Sequence, residues 1–186
     1  ELSGGTVRSV APRGDAVLSV GGLQPETSYP CRVSLRDTAE RELEITLALS
    51  TTPPLGQVSI VEVRADPVGP EPTQEYVEVL NFGSVPIDLD GFTLSDRPDA
   101  PGDQLARGTL APRERALIVA DAFDPDEDSD PRVPPGVALL RVDRSLGSGG
   151  LSNAGEPLFL RDALGHRLSA APAISAGGPG RCIVRS

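Results

Sequence analysis

The chain has 186 residues but only one histidine, His166, and two cysteines, Cys31 and Cys182. The groups that most often move protons, attack carbonyls or ligate transition metals are therefore scarce. His166 follows Gly165 in "DALGHRL" and opens an alternating stretch, so an exposed strand-end position accounts for it. A serine triad would need His166 as its base, and the sequence assigns it no orienting carboxylate. The Ser-rich "LGSGGLSNAG", residues 146–155, has glycines beside its serines but lacks the G-x-S-x-G elbow between a strand and a helix. It is expected to be a turn that delivers Leu151 to the core. Glu62, Glu75, Glu78 and Asp88 offer carboxylates of the type that glycoside hydrolysis uses in pairs. Glu78, however, shares a strand face with Tyr76 and Leu80, which predicts a half-buried residue hydrogen-bonded to a neighbouring loop. No catalytic residue is assigned, and the chain is not expected to be an enzyme.

Metal chemistry has one candidate. In "DAFDPDEDSDP" the residues Asp124, Asp126, Asp128 and Asp130 alternate, with Glu127 among them. Close like charges repel, and a hard cation such as calcium relieves that repulsion. Counted from Asp124, an EF-hand loop would need glycine and glutamate where Ser129 and Pro135 stand, so that motif is excluded. A looser calcium site is one expectation, and a solvated acidic loop, the simpler of the two, is the other. No other cofactor is indicated. The cysteines lack CxxC spacing, which gives no support to a zinc or redox centre. Cys31 alternates with Tyr29, Val33 and Leu35, as a small hydrophobe on an inward face would. A bridge to Cys182 would require the first domain to dock on the last strand, and free thiols are the expectation.

Composition narrows the partners. The formal net charge is −10, and all 17 basic residues are arginine. Nucleic acid is excluded as a partner, because phosphate binding needs a basic patch and no basic–aromatic interleaving occurs. The arginine usage reads as the codon bias of a GC-rich, bacterial genome. No apolar run is long enough to span a membrane. Aromatics make up 3% of the chain, so a core must be built from Val, Leu, Ile and Ala, while 20 Gly and 19 Pro favour many turns.

The elements that must hold these residues are strands. Ala16, Leu18 and Val20 alternate before a Gly pair. Tyr29 to Leu35 and Leu43 to Leu49 alternate likewise, each series with one apolar face. "STTPPLG", residues 50–56, is a Pro-rich hinge that divides the chain into residues 1–53 and 57–186. Beyond it, strands are predicted over 58–65, 76–80, 85–89, 92–96, 115–121, 137–142, 157–162, 166–170 and 181–185. The strand at 76–80 should be buried on both faces. Asn81 and Gly83 of "NFGS" suit positive φ, "DG" at 90–91 predicts a hairpin, and Asp162–Gly165 a tight turn. The chain is all-β, with no amphipathic helix and no internal repeat.

Two resemblances follow from these segments. "GLQPETSY", with its Leu-x-Pro-x-Thr-x-Tyr core from Leu23 to Tyr29, resembles the tyrosine corner of fibronectin type III and related immunoglobulin-like sandwiches. It implies that Tyr29 places its hydroxyl on backbone. It also implies that residues 1–53 are the second half of such a domain, with earlier strands upstream. Residues 57–186 resemble a bacterial lamin-tail domain through "IVEVRADP", "EYVEVLNFGSVPIDLDGFTLSD", "GTLAPRERALIVA", "LSNAGEPLFLRDALGHRL" and "GPGRCIVR". The family often has Trp where Tyr76 and Phe92 stand, and a small polar residue in place of Cys182. The resemblance implies an immunoglobulin-like β-sandwich that binds, tethers or spaces. It would belong to an exported multidomain bacterial protein located extracellularly, in the periplasm or at the cell surface. Its partner would be a protein or cell-surface component, met by edge strands and acidic loops. The alternative is an accessory region of a larger secreted hydrolase whose catalytic domain lies outside this chain.

Overall fold

The computed structural model describes residues 20–147 and 149–184. All regular secondary structure among them is strand. The chain divides into two units, Glu1–Pro54 and Leu55–Ser186.

In the first unit the two period-two series form β1 (Ser28–Arg36) and β2 (Glu42–Ser50). They pair antiparallel, with Tyr29 opposite Leu49, Cys31 opposite Leu47, Val33 opposite Ile45 and Leu35 opposite Leu43. Because alternate residues share a face, this register gathers these eight side chains on one side of the hairpin. The other side carries Arg32–Glu44 and Arg36–Glu42 ion pairs. Asp37 closes the connecting turn, its carboxylate accepting the Ala39 and Arg41 N–H groups and the Arg41 guanidinium. The Arg41 N–H, then its side chain, holds the Asp37 carboxyl below its usual range. At the entry to β1, Gln24 N–H donates to Tyr29 Oη at 2.7 Å, so the expected hydroxyl-to-backbone bond forms. The strand expected over Ala16 and Leu18 lies outside the described residues, and Val20 belongs to no strand.

The second unit contains β3 (Val58–Asp66), β4 (Tyr76–Asn81), β5 (Ile87–Asp88), β6 (Thr93–Ser95), β7 (Asp103–Gln104), β8 (Thr109–Leu110), β9 (Arg115–Val119), β10 (Ala138–Arg141), β11 (Leu158–Arg161), β12 (Arg167–Ala171) and β13 (Arg181–Val184). A five-stranded sheet has the order β10-β9-β4-β3-β13, a four-stranded sheet β12-β11-β6-β7, and β5 pairs with β8. The inner faces of the two larger sheets contribute to one apolar core, Ile60, Val77 and Ile118 from the first and Leu94, Leu158 and Leu160 from the second. In β3 the inward positions run Val58, Ile60 and then Val63, Ala65, because the pairing with β4 slips between Ile60 and Glu62. A bulge of this kind absorbs one residue and restores the alternation.

Three local expectations change, and one pairing appears that no expectation covered. β4 is buried on one face only; Tyr76, Glu78 and Leu80 on the other are half-buried. Asn81 and Gly83 do not take positive φ. Asn81 is instead a fully buried strand residue whose amide donates to Val85 O (2.8 Å) and Leu110 O (2.9 Å), while its oxygen accepts the Gly83 N–H. Asp90-Gly91 is not a hairpin turn. Only Gly91 of the two has positive φ, at 78°, and Phe92 N–H bonds Leu89 O. A turn with positive φ at its second central residue alone has the wrong twist for a two-residue hairpin. It sends the chain from β5, paired with β8, to β6 in a different sheet. Finally, β9 and β10 pair in parallel. Parallel neighbours require a long crossover, and residues 120–137 provide it.

Candidate functional site

That crossover is the acidic stretch, and the structure separates its four candidate metal ligands. Phe123, on the crossover, packs with Leu117 and Val119 on the outer face of the five-stranded sheet, joined by Tyr76, Val133, Val137 and Leu139. Asp130 turns inward with it. Its side chain and that of Arg64 are each 2% exposed and lie 3.3 Å apart. Its two oxygens also accept the N–H groups of Val68 (3.0 Å) and Gly69 (2.8 Å). Asp124, Asp126 and Asp128 stay exposed; Asp124 caps the Asp126 N–H, and Asp128 pairs with Arg132 at 2.6 Å. Among the described residues, no group of three or more His, Cys, Asp or Glu side chains is placed to hold a metal.

The carboxylates considered for hydrolysis are also dispersed. Glu62 accepts the Tyr76 hydroxyl, which lies 3.3 Å from Cys182 Sγ. Glu78 accepts from Arg115 at 2.6 Å, on the neighbouring strand β9 rather than on a loop. Asp88 is exposed and caps the Asp90 N–H. His166 sits in the β11–β12 turn, its Nδ1 3.0 Å from Asp162 Oδ2, while Asp162 Oδ1 accepts the N–H groups of Leu164 and His166. No motif points to that Asp162 partnership, although the two residues flank the same predicted turn. Leu151 reaches the core, as expected of the Gly-rich loop before it. Both cysteines are free thiols, and burial pushes Cys182 up.

Glu75 has the most perturbed environment of these carboxylates. It is 1% exposed, and its Oε2 accepts the Leu151 N–H at 2.7 Å. Burial drives its pKa up to about 7, with Glu71 and Glu156 adding repulsion against the lowering effect of that N–H. Gly150 covers it at φ 116°, where a Cβ would meet Pro72 Cβ at 2.7 Å and Glu75 Oε1 at 2.9 Å. Glu75 thus fastens the loop before Leu151 to the start of β4.

Just beyond that loop, Leu151, Ser152, Gly155 and Glu156 form one wall of a cavity of about 330 Å³ at the open edge between the two larger sheets. At one end of it Ser169 of β12 crosses to β3, its Oγ accepting Ile60 N–H at 3.0 Å and lying 3.2 Å from Ser59 Oγ. From there the cavity is lined by Ile60, Val63 and Ile183 on one side and by Leu158, Ala171 and Ile174 on the other. The charged groups on its wall are Glu62 and Glu156. Glu156 Oε1 accepts the Ser152 N–H at 3.0 Å, and neither carboxylate is in an ion pair among the described residues. The two strands beside the opening, β12 and β13, each end their sheet.

Comparison with protein-family models and with curated proteins finds no match to the chain.

Proposed function

We propose that this chain is a non-enzymatic binding, tethering or spacer region of an exported multidomain bacterial protein, acting on a protein or cell-surface component. Residues 57–186 are assigned to a lamin-tail-like domain, an immunoglobulin-like β-sandwich in which the five- and four-stranded sheets face each other. Residues 1–53 are assigned to part of a fibronectin type III-like domain. The two sheets with a common core support the first assignment, and the Gln24–Tyr29 corner bond supports the second. The observation that carries the functional reading is the open edge of the second unit, where β12 and β13 flank an apolar cavity. Unpaired edges accept added strands, and an apolar recess beside them supplies side-chain specificity.

The test is affinity capture from the producing cell's envelope with the immobilised chain, alongside a panel of glycoside, ester and peptide substrates. Saturable capture that free chain competes away, without turnover, is expected. Turnover abolished by Glu75→Gln would overturn the reading.

A further inference from the structure

We infer that the cavity between β12 and β13 receives an extended polypeptide strand that carries aliphatic side chains and arginine or lysine. The inference rests on the binding reading above and names the partner's chemistry. Shape gives the first half. The recess opens between the edge strands of two sheets and is walled by Ile60, Val63, Leu158, Ala171, Ile174 and Ile183. A volume of about 330 Å³ lies at the lower end for ligand sites. It suits a few aliphatic side chains projecting at alternate positions from a strand, rather than a cofactor.

Charge gives the second half. Glu62 and Glu156 are the charged residues on the wall. Glu156 and Glu71 both act electrostatically on the buried Glu75. Among the described residues no arginine lines the recess, and the whole chain carries a net charge of −10. An acidic or neutral strand would bring no counter-charge to this rim, whereas a basic one would be drawn towards it and oriented on it. Glu156 accepts one bond, from the Ser152 N–H, and is thereby positioned with a second oxygen for an incoming guanidinium or ammonium group, whereas the Glu62 carboxylate is engaged by the Tyr76 hydroxyl.

The experiment uses the full chain and a fluorescein-labelled heptapeptide, Arg-Val-Thr-Val-Thr-Val-Arg, read by anisotropy at low and physiological salt. A control peptide has Glu in place of both Arg residues. Saturable binding of the Arg peptide is expected, weakening as salt rises, with the Glu peptide at least about tenfold weaker. Ile174→Asp, at a half-exposed wall position, should weaken the Arg peptide about tenfold by removing apolar contact. Glu156→Gln should weaken it about threefold and reduce the salt dependence. Circular dichroism melts confirm that each variant is folded. Equal binding of the two peptides, unchanged affinity in the variants, or no binding at millimolar peptide would each overturn the inference. So would decylammonium, below its micelle concentration, competing as well as the peptide does, since that would show an amphiphile site rather than a strand site. Envelope capture that persists unaltered with the Ile174→Asp chain would sink this site while leaving the binding reading intact.

Discussion

Asp130 ties the 120–137 crossover to Arg64 and to the Val68 and Gly69 N–H groups. Within "DPDEDSDP" it is one acid of an alternating series, and nothing nearby sets it apart. Its partner Arg64 lies on β3, stacked 4.4 Å from the Tyr76 ring, with its Nε unpartnered and its charge dependent on Asp130. Removing one member of a buried pair leaves the other uncompensated, so Asp130→Ala should cost about 3 kcal/mol or more in denaturant unfolding. Asp126→Ala, at an exposed position, should stay within about 0.5 kcal/mol. Equal effects would refute the assignment. Glu75 makes a pH prediction. Its folded pKa, about 7, lies above its unfolded value, so the folded state binds more protons between the two. Its contribution is fully present below about pH 4.5 and is lost as the pH rises through about 7. Melts from pH 5 to pH 8 should show a falling stability component, of order 3 kcal/mol at most, that Glu75→Gln removes. A Glu75→Gln chain with the wild-type slope would show that another group is responsible.

At the scale of elements, much of the strand pattern was legible, since period-two apolar series survive any topology. β1, β2, β9, β11 and β12 follow their predicted segments closely, and the Asp162–Gly165 turn forms with Gly165 N–H on Asp162 O at 2.9 Å. Pairing was less legible. The Asp90-Gly91 dipeptide advertises a hairpin, but Ile87 finds its partner in Leu110 and Leu94 finds its in Leu160, both far along the chain. The parallel β9–β10 pair was hidden for the same reason, because a crossover without a helix has no periodic signature. Nor could the cavity be read from sequence: it arises where two sheets part, and its acids come from β3 and from the loop before β11. The Ser169 contact between the sheets has a measurable worth. Ser169→Ala would leave the Ile60 N–H without its acceptor and should cost roughly 1–3 kcal/mol. A change below about 0.3 kcal/mol would mean that this bond is not holding β12 against β3.

For the whole molecule, the two units differ in how much apolar surface they bury. Leu35, Leu43, Ile45, Leu47 and Leu49 are 39–55% exposed, whereas Ile118, Val77 and Leu160 in the second unit are at most 1% exposed. Burial of such side chains supplies most of the stability of a domain. Leu47→Ala should therefore cost under about 1 kcal/mol, and Ile118→Ala about 2–5 kcal/mol. Limited proteolysis should trim residues 1–53 first and leave a resistant core beginning near Pro53. Equal resistance of both halves in a compact monomer would contradict the view that the first unit is part of a larger domain.

The open edge of the second unit is proposed to be a strand-receiving surface. Amide hydrogen exchange of the full chain, with and without saturating Arg-Val-Thr-Val-Thr-Val-Arg peptide, tests it most directly, because an added strand must protect the edge amides it bonds. The result predicted is new protection concentrated in β12, β13 and the 151–156 loop, absent with the Glu control peptide and absent in the Ile174→Asp chain. Protection confined to the β1–β2 hairpin or to the 120–137 crossover, or no change anywhere at saturation, would contradict it.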